Sequence, residues 1–169
     1  MSDVQTAESQ AAASPASVLA ALRAGNERFV SGTTVERDLL AQAAATADGQ
    51  FPLAAILGCI DSRVPVEAVF DQGIGDVFVA RSAGNVVDDD VIGGFEFATA
   101  LAGAKAIVVV GHAACGAVKG ACDGAELGHP TQLLAKITPA VDEVVADGTN
   151  PGSGDPSFVA EVIERNVVN

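Results

Sequence analysis

Three short runs rich in apolar residues stand out along the chain, separated by longer stretches with helical spacing. The runs cover residues 53–58, 76–81 and 106–111. Short apolar runs that stop at polar residues are typical of strands buried on both faces of a parallel sheet. The stretch 88–104, between the second and third runs, predicts a helix with acids in its first turn, where they suit the helix dipole. Strands joined by such a crossover predict right-handed parallel connections.

The N-terminal third predicts helices rather than strands. Residues 17–30 carry an apolar stripe that is interrupted at Gly25 and Asn26, where we expect the helix to bend or break. A second helix is predicted over roughly 34–47. Residues 1–16 are small and mostly polar, and we expect them to form a mobile tail ahead of the first helix.

The part of the chain after the third predicted strand is also helical. One helix is predicted over 131–146 with a kink at Pro139, and another over 157–169 with Ser157 as a candidate N-cap. These elements together predict an α/β fold, namely a short, mainly parallel β-sheet flanked by helices, with an N-terminal helical arm. We expect residues 17–169 to form a single domain.

Composition narrows the class of partner. Hydrophobic residues make up 49% of the 169 residues, which is enough for a sizeable core. The net charge of −13 argues against binding to nucleic acid or to an anionic membrane surface, because both require a basic footprint. A neutral small-molecule substrate would not be affected by that charge.

Sequence features also bear on location. No apolar run is long enough to span a membrane, and the segment 1–16 has neither Lys nor Arg nor the apolar stretch of a secretory signal. We therefore expect a cytoplasmic protein. The three cysteines, an odd number, fit poorly with a disulfide scaffold. In a reducing compartment, Cys close to His points instead to metal binding or catalysis.

The candidate chemistry lies at two predicted strand ends. Cys59 directly follows the first predicted strand, and His112 directly follows the third. Because open α/β sheets bind ligands beyond the carboxyl ends of their strands, these two side chains should meet there if the strands are neighbours. Cys115, three residues after His112, can face the same point. Two thiolates and one imidazole are good ligands for zinc, and three protein ligands leave a fourth position open.

Asp61, two residues after Cys59, decides what kind of site this would be. It could bind the metal as a fourth ligand and close the site. It could instead pair with Arg63 and leave the fourth position to a water molecule, whose pKa zinc lowers to about 7. Structural zinc sites usually have four protein ligands, so the second arrangement would indicate catalysis.

These residues lie in motifs that resemble a known family. GCIDSR at 58–63, RSAGN at 81–85 and GHAACG at 111–116 occur in the order found in the β-class carbonic anhydrases. The resemblance extends from about Leu19 to the C-terminus. It implies a zinc enzyme that reversibly hydrates carbon dioxide to bicarbonate and a proton, by attack of a zinc-bound hydroxide.

The resemblance also implies roles for individual residues. The implied zinc ligands are Cys59, His112 and Cys115. The implied catalytic pair is Asp61 and Arg63. The substrate pocket is implied to be lined by Gln50, Phe78, Ala83, Phe97 and Gly116, with Gln50 in contact with bicarbonate and Gly116 contributing its backbone NH. Because the position of Phe97 often carries Tyr in the family, a missing hydroxyl group there should tune activity rather than abolish it.

Assembly and length are further implications of the resemblance. Members of the class assemble through an N-terminal arm, so we expect a homodimer or a higher homo-oligomer. They also usually continue through another helix and a last strand, so the C-terminal strand of the family is expected to be missing from this chain.

Two alternatives remain open at this point. One is a non-catalytic interaction domain that zinc stabilises, against which the Asp61–Arg63 pair argues, since a purely structural site needs no such pair. The other is a related hydrolase acting on a molecule such as carbon disulfide, which differs only in access to the pocket. Cys122 is expected to be a buried structural residue and His129 to be exposed in a loop.

Overall fold

The computed structural model describes residues 4–145 and 148–169 and contains one three-stranded parallel sheet. Its strands are β1 (Ala54–Cys59), β2 (Val77–Ser82) and β3 (Ala106–Val109), in the order β2-β1-β3. All six residues of the central strand β1 are buried, as expected for a strand covered on both faces. The prediction of a short parallel sheet flanked by helices, with helices at the N-terminus, is confirmed.

The chain divides into two compact units. The first comprises the chain up to Leu57 together with Val64–Ala80 and Asp88–Val108. The second comprises Gly58–Arg63, Arg81–Val87 and the chain from Val109 onward. The sequence predicted one domain over 17–169, and the two units are described separately below.

The first two helices of the first unit begin earlier in the chain than the sequence predicted, whereas the helix predicted over roughly 34–47 begins only at Leu39 and ends at Ala45. The helices of this unit are α1 (Ala7–Ala12), α2 (Pro15–Ser31), α3 (Leu39–Ala45), α4 (Val66–Val69) and α5 (Asp89–Glu96), which continues as a π-helical turn over Phe97–Leu101. Helix α1 lies inside the segment 1–16 that was predicted as a mobile tail. Thr6 and Ser9 cap it reciprocally, and the buried Gln10 donates hydrogen bonds to the carbonyl oxygens of Pro52 (2.8 Å) and Ala102 (2.9 Å).

Helix α2 runs through Gly25 and Asn26 without interruption, so the predicted bend or break there is wrong. A Cβ atom at Gly25 would lie 1.9 Å from the carbonyl oxygen of Phe70, so glycine is what lets the helix approach that segment. The Nδ2 atom of Asn26 donates to the carbonyl oxygen of Val69 at 3.0 Å. Both residues that weaken a helix locally are therefore used for a tertiary contact.

A buried carboxylate follows α4. The Asp71 side chain is 2% exposed and lies 2.5 Å from Nε of Arg28, and it also accepts hydrogen bonds from Arg37 and from the Val35 amide. Burial by itself would raise the pKa of Asp71, but the hydrogen bonds from the two guanidinium groups lower it overall. Each oxygen of this carboxylate has a partner.

The second unit contains four α-helices among the described residues, in addition to a short 3-10 turn at Ala83–Asn85. The α-helices are α6 (Gly116–Cys122), α7 (His129–Leu134), α8 (Thr138–Val144) and α9 (Pro156–Val168). The helix predicted over 131–146 is thus two helices, and Pro139 lies in the first turn of α8, where its missing N–H costs nothing. Helix α9 agrees with the prediction over 157–169, but its N-cap is Asp155 and not Ser157, because the Asp155 carboxylate accepts from two amides of the first turn.

The core of the second unit places cysteines among aliphatic residues. Cys59, Cys115 and Cys122 are buried in one cluster with Val118, Ile137 and Val162. The expected burial of Cys122 and exposure of His129 are both confirmed, but His129 is the first residue of α7 and does not lie in a loop as predicted. None of the described helices is both long and apolar enough to cross a membrane.

Candidate metal centre

Three candidate ligands meet in the second unit. Cys59 is the last residue of β1, His112 follows the end of β3 by three residues, and Cys115 is the residue before α6. Their ligand atoms all lie within 4.8 Å of one another, and the two sulfur atoms are 3.9 Å apart. We call these three residues the Cys–His–Cys group. The meeting of two strand ends that the sequence predicted is therefore present.

The two ring nitrogens of His112 differ, because one has a hydrogen-bond partner and the other has none among the described residues. Its Nδ1 atom lies 3.0 Å from the carbonyl oxygen of Ala113, which can only accept, so Nδ1 carries the proton. The Nε2 atom is then a lone-pair acceptor, and it is buried with no hydrogen-bond partner among the described residues. A buried polar atom without a partner costs about 1–3 kcal/mol. A metal ion between the three ligands would satisfy this atom, and the donor set suits one.

The sulfur atom of Cys115 lies in a site that disfavours its charged form. Cys59 is 4% exposed and Cys115 is 1% exposed. Burial raises the pKa of the Cys115 thiol, and the neighbouring Cys59 raises it further, although the amides of Val118 and Ala117 act in the opposite direction. A buried thiol such as Cys115 loses its proton readily only beside a positive charge, which a divalent cation supplies.

The Asp61–Arg63 pair is formed beside the group. The Nε atom of Arg63 donates to Oδ1 of Asp61 at 2.9 Å, and NH2 donates to Oδ2 at 2.7 Å. The Arg63 backbone amide donates to Oδ1 as well, at 2.9 Å. These hydrogen bonds hold the pKa of Asp61 well below its usual range. The Oδ2 atom also lies 4.0 Å from His112 Nε2, so the carboxylate is a neighbour of the metal group.

Arg81 supports this arrangement and was missed as a site residue by sequence reasoning. Its Nε donates to the carbonyl oxygen of Cys59 at 2.8 Å, and its NH2 donates to that of Asp61 at 2.6 Å. The guanidinium group therefore braces the backbone between a candidate ligand and a candidate catalytic residue. The only signal in the sequence was its place in the RSAGN motif, which does not reveal the partner.

The residues implied to line the substrate pocket are distributed over both units. Phe78 and Phe97 in the first unit contact each other edge to face, with ring centroids 6.0 Å apart. Gln50, also in the first unit, is exposed in the segment before β1. In the second unit, Ala83 begins the turn that follows β2, and Gly116 begins α6 with open space where a Cβ atom would be. The roles of these five residues stay predictions.

Comparison with protein families and curated proteins gives consistent matches. A family model described as carbonic anhydrase matches residues 54–169. Carbonic anhydrase 2 of Mycobacterium tuberculosis is 41% identical over 152 residues, which are 89% of this chain and 62% of that protein. A carbonic anhydrase of Mycolicibacterium smegmatis is 40% identical over 133 residues, 75% of this chain and 65% of that protein. The chain thus spans less than two thirds of the length of either relative.

Solved structures with a similar fold carry the same family name. A tetrameric β-carbonic anhydrase from Sordaria macrospora superposes with a TM-score of 0.63 and 30% identity, covering 73% of this chain and 64% of that one. A β-carbonic anhydrase of Aspergillus fumigatus superposes with a TM-score of 0.68 and 27% identity, covering 88% of this chain and 71% of that one.

Proposed function

Since the chain belongs to the β-class carbonic anhydrases, we propose that it binds one zinc ion at the Cys–His–Cys group and catalyses the reversible hydration of carbon dioxide to bicarbonate and a proton. The observation that carries this proposal is the buried, unpartnered Nε2 of His112, on an imidazole that offers a ligand nitrogen within 4.8 Å of two cysteine sulfurs. Zinc at such a site supplies an activated water as nucleophile, because it lowers the pKa of bound water to about 7.

The three ligands each have a defined role in holding the ion. His112 binds through Nε2, since its Nδ1 proton is donated to the Ala113 carbonyl. Such a hydrogen bond on the other ring nitrogen fixes the orientation of a ligand histidine. Cys59 and Cys115 bind as thiolates and release their protons when the ion enters.

Asp61 orients the nucleophilic water rather than acting as a fourth ligand. Both of its oxygens accept hydrogen bonds from Arg63, so the carboxylate is ionised and its direction is set by the guanidinium group. A carboxylate held in this way can still accept a further hydrogen bond on a free lone pair. Positioning of this kind places a nucleophile against a small substrate that offers few groups to bind.

We also propose that the protein assembles as a homodimer or a higher homo-oligomer. Helix α2 exposes large apolar side chains, with Leu19 42%, Phe29 43% and Val30 77% exposed. The similar structure from Sordaria macrospora is described as tetrameric.

Ala83 and Gly116 are proposed to line the substrate side of the metal group in the second unit. The roles of Gln50, Phe78 and Phe97 stay predictions, and so does the cytoplasmic location.

The test is a stopped-flow assay of carbon dioxide hydration with metal analysis of the same sample. We expect one zinc per chain and a hydration rate that falls when a chelator removes the metal and returns when zinc is added. Zinc at one ion per chain without hydration would identify a non-catalytic zinc domain instead. Turnover of carbon disulfide but not of carbon dioxide would identify the related hydrolase.

A further inference from the structure

Helix α9 is connected to the candidate metal centre through the turn that follows β2. The Nδ2 atom of Asn166 donates to the carbonyl oxygen of Gly84 at 2.9 Å. The amide of the same residue, Gly84, donates to the Cys59 sulfur at 3.2 Å. Two hydrogen bonds in series therefore connect a side chain on α9 to a candidate metal ligand.

The turn at Gly84 adopts a conformation that needs support. Gly84 has φ +65° and is followed by Asn85 at φ +47°, so two successive residues lie in the left-handed region. Each such non-glycine residue costs about 1–3 kcal/mol and persists only when its surroundings hold it. A Cβ atom at Gly84 would lie 2.7 Å from Cδ1 of Ile137, so the turn also fits closely against the core.

The same helix packs against the second strand end of the site. A Cβ atom at Gly111, the residue before His112, would lie 2.7 Å from Cγ2 of Val167 and 3.0 Å from Cγ2 of Ile163. Helix α9 therefore packs against the backbone that precedes His112. It also forms a hydrogen bond to the turn that contacts Cys59. Of these contacts, only the one from Asn166 is directional.

We propose that Asn166 is a positioning residue for the metal ligand Cys59. The Asn166 side chain fixes the position of the Gly84 carbonyl group. Because the carbonyl and the amide belong to the same residue, this also keeps the Gly84 amide directed at the Cys59 sulfur. An amide hydrogen bond stabilises a thiolate and sets the direction of its remaining lone pairs. This inference rests on the proposed function, because it takes Cys59 to be a zinc ligand.

The test compares two substitutions of Asn166 with a matched control on the same helix. Asn166→Asp keeps the shape of the side chain but removes the donor, and Asn166→Ala removes the side chain. The control is Asn169→Asp, which makes the same change of charge at an exposed residue whose side chain donates a hydrogen bond to Glu143. Zinc affinity is measured by competition with a chelator, and the cobalt-substituted proteins are compared by their thiolate-to-metal charge-transfer absorption.

We expect both Asn166 variants to bind zinc roughly 10-fold more weakly, the lower end of what loss of an outer hydrogen bond to a metal site costs. Their charge-transfer band should shift, whereas Asn169→Asp should match the wild type in both measurements. This proposal alone would be overturned if the wild type binds zinc and the Asn166 variants bind it with an affinity within twofold of the wild type and show an unshifted band. A wild type that binds no zinc would overturn the proposed function and this proposal together.

A measurement on the wild type covers the case in which a variant does not fold. Hydrogen exchange at the Gly84 amide of the zinc-loaded protein should be slow, because the amide is buried and bonded to sulfur. Exchange as fast as that of an exposed amide would contradict the arrangement on which the proposal depends.

Discussion

Two buried polar clusters, one in each unit, differ in whether their polar atoms have hydrogen-bond or ion-pair partners. In the first unit, the Asp71 carboxylate is bound by Arg28, Arg37 and the Val35 amide, so its charge and its hydrogen bonds are all compensated. In the second unit, the Cys–His–Cys group leaves His112 Nε2 without a partner among the described residues. The same group also contains two neighbouring buried cysteine sulfurs, 3.9 Å apart.

This difference separates a structural cluster from a candidate functional one. A buried group with every partner in place stabilises the fold and offers nothing to a ligand. A buried nitrogen without a partner beside two thiols has an unmet requirement, which a cation fulfils. The contrast predicts that substitutions in the second unit's group change metal content and activity, and that substitutions around Asp71 change stability.

The largest expected effect comes from removing one ligand of the group. Cys115→Ala should reduce zinc from one ion per chain to none and abolish hydration, because two remaining ligands bind zinc weakly. The control is Cys122→Ala, which removes an equally buried sulfur on α6 that lies outside the group. Metal analysis and stopped-flow rates on both variants check this. Zinc retained by Cys115→Ala, or lost from both variants, would contradict the ligand assignment.

Breaking the Asp61–Arg63 pair should separate orientation from metal binding. We expect Asp61→Asn and Arg63→Ala to lower kcat by about 10²-fold, the scale on which misplacing reacting groups acts. Zinc content should stay at one ion per chain. Arg165→Ala is the control, since its ion pair with Glu143 is half exposed and unrelated to the group. Zinc loss or a gain of activity in Asp61→Asn would identify Asp61 as a fourth ligand instead.

Around Asp71 the expected effect is on stability. Asp71→Asn removes the charge that compensates Arg28 and Arg37, and removal of one partner from a buried ion pair costs about 3 kcal/mol or more. Glu143→Gln, in an exposed pair with Arg165, should change the free energy of unfolding by less than about 1 kcal/mol. Denaturant unfolding of the zinc-loaded variants measures both. Equal small changes would show that the Asp71 cluster is not the stabilising feature inferred here.

The smallest effect is a dependence of stability on acid. Folding lowers the pKa of Asp71 through its two arginine partners, so the unfolded chain takes up a proton more readily than the folded protein. The stabilising contribution is therefore complete above the unfolded value of about 3.9 and is lost as pH falls through the lower folded value. Unfolding of metal-free protein between about pH 5 and pH 2 should show this loss in the wild type and a weaker one in Asp71→Asn. An equal loss of stability with falling pH in the wild type and in Asp71→Asn would contradict this prediction.

Sequence reasoning succeeded where the information is local. The apolar runs predicted the strands to within two residues at each end, because a buried strand requires continuous apolar residues over a short length. The positions of Cys59 and His112 after two of those runs predicted that they would meet, because parallel strands end at the same edge of a sheet. The close spacing of Asp61 and Arg63 suggested their pairing as one of two arrangements, and this pairing is present in the structure.

What only the tertiary structure decided involves residues distant in the chain. Glycine stands at position 25 inside helix α2 because the Phe70 carbonyl leaves no room for a Cβ atom, and no local pattern contains that contact. The bonds from Arg81 to Cys59 and from Asn166 to Gly84 join residues 22 and 82 positions apart. Periodicity and spacing report which face of an element is buried, but a directional bond between a side chain and a distant carbonyl depends on how the elements pack. For this reason the sequence determined the strands and the candidate ligand set, whereas the groups that hydrogen-bond to the backbone around those candidate ligands emerged only from the packing.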